Sequence, residues 1–97
     1  LTLFEHFETD EAGHARSMVR ALDALERVDR LARAVVEGLR PGDSLVVASD
    51  HGNVEDLGTR NHTLGRVPVV AFGPAADLVG QVRDLTGVAP MLRALAR

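Results

Sequence analysis

Five side chains of metal-ligand type fall at three places along the chain. Asp10 and His14 lie in D-E-A-G-H, Asp50 and His51 in S-D-H-G-N, and His62 in N-H-T. Hard carboxylate oxygens and borderline imidazole nitrogens together suit Zn²⁺ or Mn²⁺. The chain has no cysteine, which removes thiolate catalysis, disulfides and cysteine-type zinc sites. Each group also has a plainer use. Asp10 could cap a helix behind it, His14 could be an exposed first-turn residue, and Asp50 before Gly52 could form an Asx-type turn. His62 alone need do nothing, and Gly13 and Gly52 could simply supply turn geometry. Arg60 and Arg66 could hold a phosphate, although each also reads as a surface arginine. Asn53 and Glu55 read as turn residues or supports behind the ligands.

These groups need elements to bring them together. Residues 1 to 7, LTLFEHF, look like a strand, and TDEAGHARS breaks that pattern. From Ser17 to Leu39 the apolar residues recur every three or four positions, at Met18, Leu22, Leu25, Val28, Ala32, Val35 and Leu39. That spacing predicts an amphipathic helix. Its opposite face carries Asp23/Arg27, Glu26/Arg30 and Asp29/Arg33 at i,i+4 with the acid first, an order worth about 0.3–0.5 kcal/mol per pair. R-P-G-D turns the chain at residues 40–43. Residues 44–49, SLVVAS, form a continuous apolar run expected of a strand covered on both faces.

Strand, helix, strand reads as a right-handed parallel βαβ unit. A polar, glycine-containing loop follows from Asp50 to Arg66. Residues 67–72, VPVVAF, form another strand, with Pro68 near its start where a missing N–H is tolerable. A helix from about Gly87 closes the chain, with Thr86 as its expected N-cap and Pro90 in its first turn. In a parallel arrangement the groups after the first two strands emerge at one carboxyl edge, where open α/β folds place their sites. His62, on the loop behind Asp50, can reach that edge.

Composition bounds the rest. A chain of 97 residues is one domain at most. Hydrophobic residues make up 45%, which fits a globular protein. No apolar run approaches the roughly 20 residues of a membrane span. The net charge is −3, with no Trp and no Tyr, so nucleic acid and anionic membrane are not expected partners. All eleven basic residues are arginine, a bias that a GC-rich genome accounts for. Freedom from cysteine is compatible with a cytoplasmic setting. The chain opens on Leu1 inside an apparent strand, so it reads as the C-terminal part of something longer.

S-D-H-G-N-V-E with a following H-T, preceded by D-x-x-G-H, resembles the alkaline phosphatase superfamily. The branch it is most similar to is cofactor-independent phosphoglycerate mutase and its metalloenzyme-domain relatives. The similarity runs from the strand before Asp10 to the helix in DLTGVAPMLRAL, where Met91 stands at a position that often holds threonine. The resemblance implies an α/β fold: part of a three-layer sandwich with a mostly parallel sheet, residues 1–97 forming its C-terminal part and the N-terminal portion missing.

It also implies two divalent metals. Asp10, His14 and His62 would hold one, Asp50 and His51 the other. The family completes the second metal with an aspartate after its first strand, and supplies a serine or threonine nucleophile from a nearby helix. Ser49, Thr63 and Ser17 do not match that nucleophile position, so no catalytic nucleophile is expected here. The metals would act as Lewis acids in in-line transfer of a phosphoryl group from a phosphorylated small molecule. A second expectation is a non-catalytic metal-binding or dimerisation module, in which an exposed sheet edge pairs with a second copy.

Overall fold

The computed structural model describes residues 1–96. Helix α1 spans Glu8–His14 and α2 spans Met18–Gly38. Strand β1 (Leu45–Ala48) and β2 (Val69–Phe72) form a two-stranded sheet. A 3₁₀ turn over Gly73–Asp77 follows β2, and α3 spans Val88–Leu95.

Helix α2 matches the sequence expectation within a residue at each end. Ser17 caps it, its hydroxyl accepting from the Arg20 N–H at 3.2 Å. Of the three expected i,i+4 pairs, Asp23–Arg27 closes at 3.1 Å. Arg27 also reaches Glu8 of α1 at 3.0 Å, which ties the two helices at the surface. Glu26/Arg30 and Asp29/Arg33 form no ion pair among the described residues.

The packing of α2 departs from its pattern. Its buried residues are Ala21 and Ala24, while Met18, Leu22, Leu25 and Val35 are exposed. Small side chains let α1 approach closely, and Ala12 of α1 is fully buried there. Much of the expected apolar stripe therefore faces solvent, with Val28, Ala32 and Leu39 half-buried. Leu1, Leu3, Phe4 and Phe7 add to that exposed apolar surface. The accessible area is 7318 Å², against ~5,400 Å² for a compact monomer of this mass. The difference is larger than the roughly 800 Å² that one partner contributes to a standard interface.

The expected parallel βαβ unit does not form. Residues 1–7 are exposed apart from half-buried His6 and join no ladder among the described residues. A strand exists through its neighbour's N–H and C=O groups, and the sheet consists of β1 and β2 alone among the described residues. β1 and β2 are antiparallel, with Leu45 opposite Phe72 and Ala48 opposite Val69. The loop between them contains no helix to carry the chain back across the sheet. It doubles back instead, through an antiparallel bridge between Gly52 and Thr63.

Thr86 does not cap α3, whose N-cap is Gly87 with no side-chain bond; Asp84 instead caps the 3₁₀ turn Leu85–Gly87 that leads into it. The Asp84 carboxylate accepts from the Thr86 N–H at 2.9 Å and from the Thr86 hydroxyl at 2.5 Å. Pro90 lies in the first turn of α3 as expected. In the R-P-G-D turn, Gly42 takes a φ of 92°, a left-handed conformation that a side chain would disfavour.

Candidate metal centre

Asp10 and His14 lie inside α1, four residues apart, so both project from one face of that helix. The sequence reading took this stretch for a break in the pattern, with a helix cap as the plainer alternative for Asp10. His62 arrives from the far end of the loop between β1 and β2. One ligand atom from each of Asp10, His14 and His62 lies within 4.8 Å of the others.

Asp10 Oδ1 is the hub. His14 Nε2 lies 3.2 Å from it, His62 Nε2 3.3 Å and His51 Nε2 3.6 Å. The His14 and His62 Nε2 atoms are themselves 3.2 Å apart. The His51 and His62 rings stack with centroids 3.4 Å apart and planes 15° from parallel. His51 thus lies beside Asp10, His14 and His62, between them and Asp50. Asp50 stands outside that group, its side chain 88% exposed and within reach of His51 Nε2 at 3.5 Å.

The proton positions follow from the partners. His14 Nδ1 bonds the Arg60 carbonyl, and His51 Nδ1 contacts the Gly52 carbonyl at 3.2 Å. A carbonyl only accepts, so Nδ1 carries the proton in each ring and a neutral ring offers its Nε2 lone pair to the cluster. Lone pairs of two imidazoles and a carboxylate then converge on one point. A proton on His62 Nε2 can serve only one neighbour at a time. A divalent cation serves all of them, so the donor set fits a metal.

Asn53 holds Asp10 from behind. Its side-chain NH₂ donates to Asp10 Oδ1 at 2.8 Å and to the Asp10 carbonyl at 3.2 Å. Asn53 is buried, and its Oδ1 has no hydrogen-bond partner. That oxygen packs against Gly13, where an added Cβ would lie 2.5 Å from Asn53 Cγ and 2.8 Å from Nδ2. Gly13 therefore provides space rather than turn geometry; its φ is not positive, and neither is that of Gly52.

Arg60 contributes its carbonyl, not its guanidinium. No hydrogen bond or ion pair brings the side chain of Arg60 or Arg66 to the cluster among the described residues. Arg16, which the sequence reading did not single out, adopts a φ of 52° and donates from Nε to the Leu57 carbonyl at 3.0 Å. It anchors the loop to the end of α1. No periodicity marks such a residue.

Four carboxyls sit below their ordinary range. Asp10 is lowered chiefly by the Asn53 amide and further by the three histidines, against partial desolvation. The Thr63 hydroxyl lowers Glu55, the Arg40 backbone N–H lowers Asp43, and the Thr86 hydroxyl lowers Asp84. A carboxyl depressed by folding contributes stability that is fully present above its unfolded pKa of about 4. That contribution is lost as pH falls through the depressed folded value. Urea midpoints of the metal-free chain are therefore expected to drop as pH passes below about 4. Asp43→Asn combined with Asp84→Asn should make the drop shallower; an equally steep drop would contradict the assignment.

The comparisons with known proteins place the chain in a family. The sequence model described as Metalloenzyme superfamily matches residues 2–93. The chain belongs to that superfamily. Metalloenzyme relatives include a phosphopentomutase of Methylobacterium nodulans, 43% identical over 68 residues, which are 70% of this chain and 16% of the relative. A 2,3-bisphosphoglycerate-independent phosphoglycerate mutase of Halobacterium salinarum is 37% identical over 92 residues, covering 86% of this chain and 18% of the relative. A phosphopentomutase of Helicobacter acinonychis is 34% identical over 71 residues, 73% of this chain and 17% of its own length. The chain thus spans less than a fifth of these curated relatives. No solved structure matches. The match supports the alkaline-phosphatase-like α/β metalloenzyme class that the motif blocks resemble. No helix among the described residues is long and apolar enough to cross a membrane.

Proposed function

We propose that this chain is the metal-binding C-terminal part of a metal-dependent phosphoryl-transfer enzyme, of the phosphomutase or phosphohydrolase type. The observation that carries this reading is the convergence of Asp10, His14 and His62 within 4.8 Å. Membership of the metalloenzyme superfamily and the phosphomutase names of the relatives support it. Asp10, His14 and His62 hold one divalent ion. Asp50 and His51 serve a second, whose remaining ligand comes from outside these residues. When bound, Mn²⁺ or Zn²⁺ polarises phosphoryl oxygens and lowers the pKa of an attacking hydroxyl.

The chain's own residues set up that chemistry. Asn53 keeps Asp10 ionised and oriented, and the Arg60 carbonyl fixes the His14 tautomer. Ser49, Thr63 and Ser17 do not match the family's nucleophile position, so no nucleophile is assigned among them. Ser49 donates to the His51 carbonyl at 2.9 Å, Thr63 donates to Glu55, and Ser17 caps α2. The substrate is a phosphorylated small molecule, and Arg60 and Arg66 are the weaker candidates to hold its phosphate.

The exposed apolar face of α2, together with residues 1–7, is where the rest of an alkaline-phosphatase-like sandwich packs. Pairing of two copies through an open sheet edge is the alternative. Light scattering of the purified chain distinguishes a monomer from such a pair.

Metal uptake tests the site. The purified chain, loaded with Mn²⁺ or Zn²⁺ and desalted, should retain metal by elemental analysis. His14→Ala together with His62→Ala should release it. Unchanged stoichiometry in the double variant would sink the ligand assignment. The loaded chain should not turn over p-nitrophenyl phosphate, and turnover that survives repurification would contradict the absence of a nucleophile.

A further inference from the structure

Both oxygens of Glu55 are occupied by the loop that carries His62. Oε2 accepts from the Asn53 N–H at 2.6 Å, and Oε1 accepts from the Thr63 hydroxyl. Thr63 Oγ1 in turn accepts from the Gly65 N–H at 3.1 Å. The Thr63 N–H donates to the Gly52 carbonyl at 2.8 Å. One carboxylate therefore joins the residue that holds Asp10 to the residue beside His62.

The glycines on either side leave just enough room for that link. A Cβ on Gly52 would lie 2.6 Å from Glu55 Oε1, and one on Gly65 would lie 3.1 Å from Thr63 Oγ1. Burial cannot do the same work, because the His62 side chain is 50% exposed. An imidazole that is half in water keeps its place only if its backbone is held by directional bonds. Hydrogen bonds to an ionised acceptor are the stronger kind.

We infer that Glu55 is the positioning residue for His62, acting through Thr63 and closing the loop from Gly52 to Gly65 into a fixed cradle before any metal arrives. This rests on the proposal that His62 is a metal ligand. Glu55 stands outside the group of Asp10, His14 and His62 whose ligand atoms lie within 4.8 Å of one another.

The test uses the 97-residue chain with Mn²⁺ as the probe. Isothermal titration should show affinity falling about 10–100-fold in Glu55→Ala and in Thr63→Val, the usual cost of losing a ligand's support. The double variant should match Glu55→Ala alone, because both changes remove one link. Glu55→Gln should recover part of the loss, its carbonyl accepting from Asn53 and its NH₂ donating to Thr63. Circular dichroism confirms that each variant is folded. Unchanged affinity in either single variant, or losses that simply add, would overturn the inference.

A second readout needs no metal. Amide exchange at Thr63 in the metal-free chain should speed up in Glu55→Ala and Thr63→Val, and unchanged exchange would also overturn it. If the wild-type chain takes up no Mn²⁺, the metal-site reading fails and this exchange measurement alone decides the role of Glu55.

Discussion

Gly13→Ala is expected to destabilise the chain by ~1–3 kcal/mol, the range for overpacking a filled site. The new methyl would stand 2.5 Å from Asn53 Cγ. Alanine is also the better helix former, by up to ~1 kcal/mol, so two effects oppose each other. Overpacking wins because the neighbour cannot swing away. Asn53 is buried and fixed by two bonds to Asp10. Any shift that relieves the clash lengthens those bonds and turns Asp10 away from the histidines. A lower urea midpoint together with weaker metal retention is the expected result. Gly38→Ala is the control, since nothing lies within 4 Å of a Cβ there; it should be neutral or slightly stabilising. Equal effects at the two positions would refute the packing argument.

Asp10→Asn should have the largest effect on metal affinity, a loss of roughly 100-fold or more, beyond the ~10–100-fold cost of removing a supporting partner. The volume hardly changes, so the loss reports charge and proton placement. Asp10 Oδ1 has three imidazole nitrogens within 3.6 Å and accepts from Asn53. An amide there must either present its NH₂ to Asn53, placing donor against donor, or keep its oxygen and bring no charge. Competition against a chromogenic chelator measures the change. Affinity within a few-fold of wild type would remove Asp10 from the ligand set.

The candidate ligands were legible in the sequence because their chemistry depends on residue type. Asp10, His14 and His62 stand out by kind, and the structure brings them together. Asp50 stands out in the same way, yet its side chain is turned to solvent. The helix that carries Asp10 and His14 was hidden by its length. Seven residues hold fewer than two full turns, too few for a period to show, although the i,i+4 spacing of Asp10 and His14 was a usable sign. α2 was legible in extent but not in packing. Its apolar period predicts a buried stripe, and the burial falls instead on Ala21 and Ala24, where close helix contact selects small side chains. The strand over residues 1–7 was misread for a related reason. Alternation describes what a segment can do beside a neighbour, and no neighbour pairs with it here. Gly13 could not be understood from sequence at all, since its reason is the side chain of Asn53, forty residues away.

The two rings that meet at 3.2 Å, His14 and His62, are 48 residues apart along the chain. An ion held by both is therefore a reversible staple across a long loop. Closing such a loop carries an entropic cost that grows only slowly with length, so half of this chain can fall inside one fastening at little extra expense. Folding and loading become linked events. Such an ion would favour the closed chain, stabilising it by an amount that grows with free metal concentration, and withdrawing it would release the fastening between residues 14 and 62. Chelation should then appear as earlier, broader unfolding of the whole loop rather than as a local change at the ligands.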